Sequence, residues 1–289
     1  MFSLDECDAA TGTAADAERC GEICYHAFKA VAEQHNFPPD FPAPEVATGL
    51  LAFLLAHPGF YSVVAEVEGN VTGSNFLDER STVAGLGPIT VDPAVQNRAI
   101  GRQLMQNALD RVKERAFPGV RLLQAAYHNR SLSLYARLGF VTREPLSTMQ
   151  GPALGVHIPG YSTRPATERD LGRCNEICAK VHGHDRGGEL RDAIKGTTAT
   201  VVEHAGRIVG YSSSIAFFGH AVAETNEGLK ALIGAAPAFG GPGFLVPTRN
   251  ADLFLWCLER GLRVVQPMTL MSIGLYKEPA GAFLPSILY

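Results

Sequence analysis

The chain has 289 residues, 46% hydrophobic and 19% charged, with a net charge of −4; this is the make-up of an ordinary globular protein, long enough for two domains. The slight acidity gives no electrostatic case for nucleic acid or an anionic membrane as partner, no apolar run approaches the roughly 20 residues of a membrane span, and six cysteines in this length do not make a disulfide scaffold. An acidic N-terminus (Asp5, Glu6, Asp8) without a basic stretch argues against a signal peptide, so a cytoplasmic location is expected.

Apolar periodicity predicts helices over 16–32 and 46–56, on either side of a proline-rich stretch at 37–44. Strands follow over 61–67 and 71–76, about a turn at Glu68-Gly69-Asn70. Pro88 to Val91 reads as a buried strand that stops at Asp92-Pro93. The next helix carries Ile100, Leu104, Met105, Ala108, Leu109 and Val112 on one face. A strand over 121–127, a short helix and a strand near 145–150 complete this half. Beyond a glycine- and proline-rich junction at 155–162 the order begins again. Helices are expected over 168–182 and 189–195, strands over 199–204 and 208–217, then a further strand, a helix over 226–235, a strand over 243–246, a helix over 250–259 and a strand over 264–273.

The residues recur as well as the order. Arg19-Cys20-Gly21-Glu22-Ile23-Cys24 matches Arg173-Cys174-Asn175-Glu176-Ile177-Cys178 at an offset of 173 − 19 = 154. Gly69 to Gly73 matches Gly206 to Gly210 at 206 − 69 = 137, and Gly139 and Met149 match Gly261 and Met271 at 122. The chain is therefore expected to be two copies of one α/β (α+β) fold in tandem, over 1–155 and 156–289, with the insertions in the first copy.

Chemistry is expected at the turn before Ile100. The first N–H groups of a helix lack internal partners and lie at the positive end of its dipole, so a phosphate satisfies both. Ala99 and Gly101 are small enough to let the backbone approach a ligand, and Gln96, Arg98 and Arg102 add donors. Alone, these residues suit an ordinary β-to-α turn equally well. A second pattern follows at Asn129, Tyr135, Gly139 and Phe140.

With both patterns in order, 89–140 resembles the acetyl-CoA-binding core of the GNAT superfamily of N-acetyltransferases. The family's phosphate loop, Gln/Arg-x-x-Gly-x-Gly/Ala, maps onto Gln96, Ala99 and Gly101, with Ala99 in place of the first glycine. Its next motif, Asn followed by Tyr-x-x-x-Gly-Phe, maps onto Asn129, Tyr135, Gly139 and Phe140, one residue shorter than the commonest spacing. The resemblance implies two tandem GNAT-like domains, each a mixed, mostly antiparallel sheet flanked by helices, with acetyl-CoA as cofactor. It implies that Ile89, Thr90 and Val91 hold the pantetheine arm, that Gln96, Asn97, Arg98, Ala99, Ile100, Gly101, Arg102 and Asn129 contact the cofactor, and that Tyr135 protonates the leaving thiolate. The second half is degenerate: its loop region reads Thr225-Asn226-Glu227-Gly228-Leu229-Lys230, and Cys257 stands where the tyrosine would be.

Other features admit plainer readings. Tyr135 also suits a packing aromatic. Glu66, Asp92 and His128 are conceivable general bases, a terminal carboxylate docked by the apolar tail 283–289 is another, and water suffices for many amines. Two cysteine pairs at i, i+4 spacing read as core residues rather than a zinc site, so no metal is expected, and His182-Gly183-His184-Asp185 reads as a solvated loop. The expected activity is acetyl transfer to a primary amine of a small molecule, by a monomer or homodimer. A non-catalytic acyl-CoA sensor and a protein or peptide N-acetyltransferase are the alternatives.

Overall fold

The computed structural model describes residues 8–96 and 98–288. Asn97, and Tyr289 with its carboxylate, lie outside them. The first half runs β1 (Asp8–Thr11), α1 (Ala17–Gln34), α2 (Pro44–Ala56), β2 (Phe60–Val67), β3 (Asn70–Asp78), β4 (Ala84–Leu86), β5 (Thr90–Val91), α3 (Ile100–Glu114), β6 (Gly119–Ala125), α4 (Asn129–Arg137) and β7 (Val141–Gln150). The second runs β8 (Tyr161–Pro165), α5 (Leu171–His182), α6 (Gly187–Lys195), β9 (Thr200–His204), β10 (Arg207–Ser212), β11 (Ala221–Ala223), α7 (Asn226–Ala235), β12 (Phe244–Pro247), α8 (Ala251–Glu259), β13 (Arg263–Gly274) and β14 (Ala282–Leu284). None of the described helices is long and apolar enough to cross a membrane.

The repeated hexapeptide has a structural reason. In each half a threonine and an aspartate three residues on, Thr13/Asp16 and Thr167/Asp170, form a capping box that starts the first helix. One turn later an arginine ties that helix to the same strand: Arg19 Nε donates to the Val71 carbonyl at 3.3 Å, Arg173 Nε to that of Ile208 at 3.2 Å. The four repeat cysteines are wholly buried, Cys20 and Cys24 in one core and Cys174 and Cys178 in another. They behave as small apolar residues, and they form no common ligand set among the described residues.

The sheets show how the halves meet. One sheet has the order β1-β2-β3-β4-β6-β13-β7-β12, with β5 added beside β3, and the other is β14-β11-β10-β9-β8. β13, from the second half, lies between β6 and β7 of the first, antiparallel to both. Reciprocally β7 lies between β13 and β12. The halves thus exchange their last strands, and the backbone pairing of each is completed by the other.

The site is opened by a break in parallel pairing. β4 and β6 pair only at Ala84–Val120 and Gly85–Arg121. The chain then kinks at Gly87, whose φ of +134° is one that L side chains rarely adopt, so the expected strand from Pro88 is confined to Thr90–Val91. β5 stays on β3 through Gly73–Val91 and Ser74–Thr90. That approach needs Gly73: a Cβ there would stand 2.7 Å from the Thr90 carbonyl oxygen. β6 meanwhile follows β13 away, and a wedge opens between β5 and β6.

Candidate functional site

The wedge is a cleft of about 680 Å³. One wall is Ile89, Thr90 and Val91, the other the end of β6 from Leu122 to Ala125. At its mouth stands the first turn of α3, with Ala99, Ile100, Gly101 and Arg102 in the lining. The apolar face of α3 is buried as its spacing requires, which fixes the direction in which its N-terminus points. Ala99 is the N-cap at φ +64° and ψ +1°, left-handed geometry that costs a non-glycine residue about 1 kcal/mol or more. Gly101 faces space: a Cβ there would have only Val91 Cγ2 at 3.7 Å and Leu134 Cδ2 at 4.0 Å nearby. The protein does not need a glycine at 101 for its own packing.

Gln96 lines the cleft while bracing it. Its Nε2 donates to the Val91 carbonyl at 3.2 Å, and its Oε1 accepts from Arg130 Nη1 at 3.3 Å. Arg130, with Arg137 and Arg102, puts positive charge along the opening of an otherwise acidic protein, and sequence reasoning missed the first two. Arg98 is exposed and not among the lining residues, and Asn129 is exposed at the start of α4 outside the lining. What holds the β6–α4 turn is Gln124, 3% exposed, whose Nε2 donates to the His128 carbonyl at 3.0 Å and to Ser131 Oγ at 3.1 Å. With the amide fixed that way round, Gln124 Oε1 is a buried acceptor without a partner, on a residue of the cleft wall.

Tyr135 lines the cleft from α4 and is 8% exposed. Burial raises its phenol well above the usual range, so it keeps its proton at neutral pH. Of the conceivable bases, His128 lines the cleft, Asp92 is paired with Arg19, and Glu66 is not among the lining residues. Burial, then His35 and Arg130, lower the His128 pKa and keep its ring neutral.

The far end of the cleft draws on both halves. Ala27, Phe28 and Val31 come from α1, Asp40 and Phe41 from the proline-rich stretch, and Leu50 from α2. Phe217, Phe218, Met268, Ile287 and Leu288 come from the second half. The apolar tail is docked as its composition demands: the Ile287 N–H donates to the Phe217 carbonyl at 2.8 Å, and Leu288 is 8% exposed.

The matching region of the second half holds a smaller pocket of about 470 Å³ at the start of α7, lined by Glu224, Thr225, Asn226 and by Gly281, Ala282 and Phe283. By the repeat offset of 221 − 84 = 137, β11 corresponds to β4. Its free edge is taken by β14, paired antiparallel through Ala221–Leu284, Val222–Phe283 and Ala223–Ala282. The stretch expected to be a solvated loop is also closed. His182 and His184 are 1% and 5% exposed; His182, at the end of α5, packs against Phe283 of β14 and His220 before β11, and His184 lies against His182. His182 Nε2 lies 3.2 Å from His220 Nε2, beside Cys178. Burial holds both rings well below their usual pKa, and both are neutral.

Residues 28–140 match the model of the acetyltransferase (GNAT) family. Among solved structures, a protein from Pyrococcus horikoshii assigned as an acetyltransferase is similar over 98% of this chain and 95% of its own, at 16% identity and a TM-score of 0.74. A GCN5-related N-acetyltransferase from Sphaerobacter thermophilus matches over 94% and 96%, at 15% identity and 0.61. The tandem GNAT protein of the clavulanic acid biosynthesis pathway matches over 93% and 98%, at 14% identity and 0.57. At these identities the likeness is one of fold. No curated protein matches the sequence.

Proposed function

The chain carries a GNAT acetyltransferase domain, whose family uses acetyl-CoA as donor, and from that premise we propose that it transfers an acetyl group from acetyl-CoA to the primary amine of a small molecule. One observation carries the reading: a single cleft leads from the N-terminus of a well-anchored helix, past a strand edge left unpaired, to a buried tyrosine.

The residues present fit the donor. The space beside Gly101 admits a pyrophosphate against the free N–H groups of α3, and Arg102, Arg130 and Arg137 supply charge. The unmatched Gln124 Oε1 suits an amide N–H, of which the pantetheine arm has two. When bound, acetyl-CoA supplies the acyl group as a thioester, and its C–S bond breaks as the C–N bond forms.

The chain supplies position and protons. Ile89, Thr90 and Val91 offer the backbone edge that holds the arm in line. Gln96 keeps the phosphate turn against the strand, Ala99 and Ile100 shape it, and Tyr135 gives its phenolic proton to the departing sulfur. Phe28, Phe41, Phe217, Phe218 and Leu288 wall the acceptor end, which favours a small amine over a polypeptide acceptor. The division into a donor-binding half, 1–155, and a degenerate half, 156–289, belongs to the same proposal.

The test is thiol release from acetyl-CoA in the presence of a panel of primary amines. Release that depends on both enzyme and amine is expected. Stabilisation of the protein by acetyl-CoA with no release from any amine would make it a sensor and end the catalytic reading.

A further inference from the structure

We propose that the acceptor is a primary amine carried on an apolar body, with its nitrogen held by Asp40. The inference rests on the acetyl-transfer reading above and adds the chemical class of the acceptor.

Asp40 enters the cleft from the stretch between α1 and α2, where Pro38, Pro39, Pro42 and Pro44 stiffen the backbone. Its Oδ1 accepts from Gln266 Nε2 at 2.9 Å. Gln266 is 1% exposed and is oriented in turn by the Tyr127 hydroxyl, which donates to its Oε1 at 3.1 Å. Phe37 stacks on Tyr127 with ring centroids 4.1 Å apart and fixes that arm. Among the described residues no lysine, arginine or histidine forms an ion pair with Asp40. Desolvation raises its pKa, as expected for a carboxyl with one neutral donor. The site therefore holds an acidic group whose missing partner is a cation.

The walls say what the cation is attached to. Phe28, Phe41, Leu50, Phe218 and Leu288 line the same cleft as Asp40 with hydrocarbon, and Phe217 and Met268 add to it from the second half. A polyamine or an amino sugar would leave its remaining polar groups unpaired against these side chains. A longer acyl chain would fit the walls but press against Asp40. An apolar amine satisfies both features. Two protons leave the nitrogen: the Asp40 carboxylate takes one from the ammonium and frees the lone pair for the thioester carbon, and the second, released as the C–N bond forms, replaces the proton that Tyr135 gives to the departing sulfur. His128, the nearest histidine in the lining, is held neutral and does not compete for the carboxylate.

The experiment titrates 2-phenylethylamine and hexylamine, against ethanolamine and spermidine, into the full-length protein saturated with CoA, and measures thiol release from acetyl-CoA with the same amines. The apolar pair should bind at least about tenfold more tightly than the polar pair. Asp40→Asn should weaken 2-phenylethylamine on the order of 100-fold while acetyl-CoA stabilises the variant as it does the parent. Phe218→Ala, a second variant, should weaken the apolar amines and leave ethanolamine unchanged. Preference for the polar pair, binding of neither pair, or equal binding by Asp40→Asn overturns the inference. Asp40-dependent binding without thiol release would instead overturn acetyl transfer and leave the recognition standing.

Discussion

Gly101→Glu separates the glycine's role in the fold from its role in the cleft, because the two predict opposite signs. The position is helical, and a Cβ there meets nothing closer than 3.7 Å, so the new side chain extends into the open cleft. Removing glycine from a helix gains roughly 0.5–1 kcal/mol. A carboxylate in the first turn gains a further 0.3–1 kcal/mol or so from the helix dipole. The variant without ligand should therefore be more stable than the parent by about 1 kcal/mol. The same carboxylate sits where a pyrophosphate would lie, and repels it. Acetyl-CoA at a hundred times its dissociation constant stabilises the parent by about 2.7 kcal/mol, or a rise in Tm of roughly 5–10 °C, and should leave the variant unmoved. Thermal unfolding of both proteins with and without acetyl-CoA reads all four values. Equal stabilisation of both by acetyl-CoA would remove the phosphate turn from the cofactor's site. A ligand-free variant less stable by more than about 1 kcal/mol would refute the claim that the space beside Gly101 is free.

Tyr135→Phe keeps the ring and removes the proton; thiol release should fall about 100-fold in kcat with little change in the KM for acetyl-CoA, and an unchanged kcat would make Tyr135 a packing residue. Ala99→Gly relieves a left-handed cap and should stabilise the fold by up to about 1 kcal/mol, as a higher urea midpoint, without weakening acetyl-CoA binding; destabilisation would contradict the strain at φ +64°. The protein should also be acid-labile. His182, His184 and His220 have depressed pKa values in the fold, that of His184 falling to about 4, against about 6.5 unfolded. Above pH 6.5 all three are neutral in both states. Below it the unfolded chain takes protons that the fold refuses, so stability falls with pH, by about 4 kcal/mol at pH 5.5 for three such groups. His128 shifts in the same sense, and Asp40 shifts the other way but is one group against four. Urea midpoints at pH 7.5 and 5.5 check this, and equal midpoints would mean the histidines are not closed off from water.

The repeat was legible because each half uses the same few ties: a capping box, an arginine from the first helix to the third strand, and two core cysteines at i, i+4. The start of α3 was legible because helix periodicity places it at Ile100. Asp40, Gln266 and Tyr127 were not legible, since they are 226 and 139 residues apart in pairs and meet only through the exchange of β13 into the first sheet. Phe217 is buried, and the path of the tail makes it and Phe218 part of the cleft wall. The misreading of His182 to Asp185 has the same cause. Glycine and polar residues after a helix signal a surface loop, but β14, which starts 282 − 182 = 100 residues further along, comes back over it.

That returning segment bears on the proposal that the second half is degenerate. Ala282 to Leu284 pairs along the whole of β11, where in the first half β6 pairs with β4 only at Ala84 and Gly85 and then diverges. Four residues after Leu284 the same segment supplies Leu288 to the wall of the first cleft, with the Ile287 N–H anchored on Phe217. A ligand arm lying along β11 would displace β14, and with it the anchor of the tail that closes the acceptor end. Glu227 in the first turn of α7 and Cys257 at the tyrosine position agree with the proposal that the second half holds no donor. The second half is then a structural component of the first half's site, supplying β13, Phe217, Phe218 and the tail.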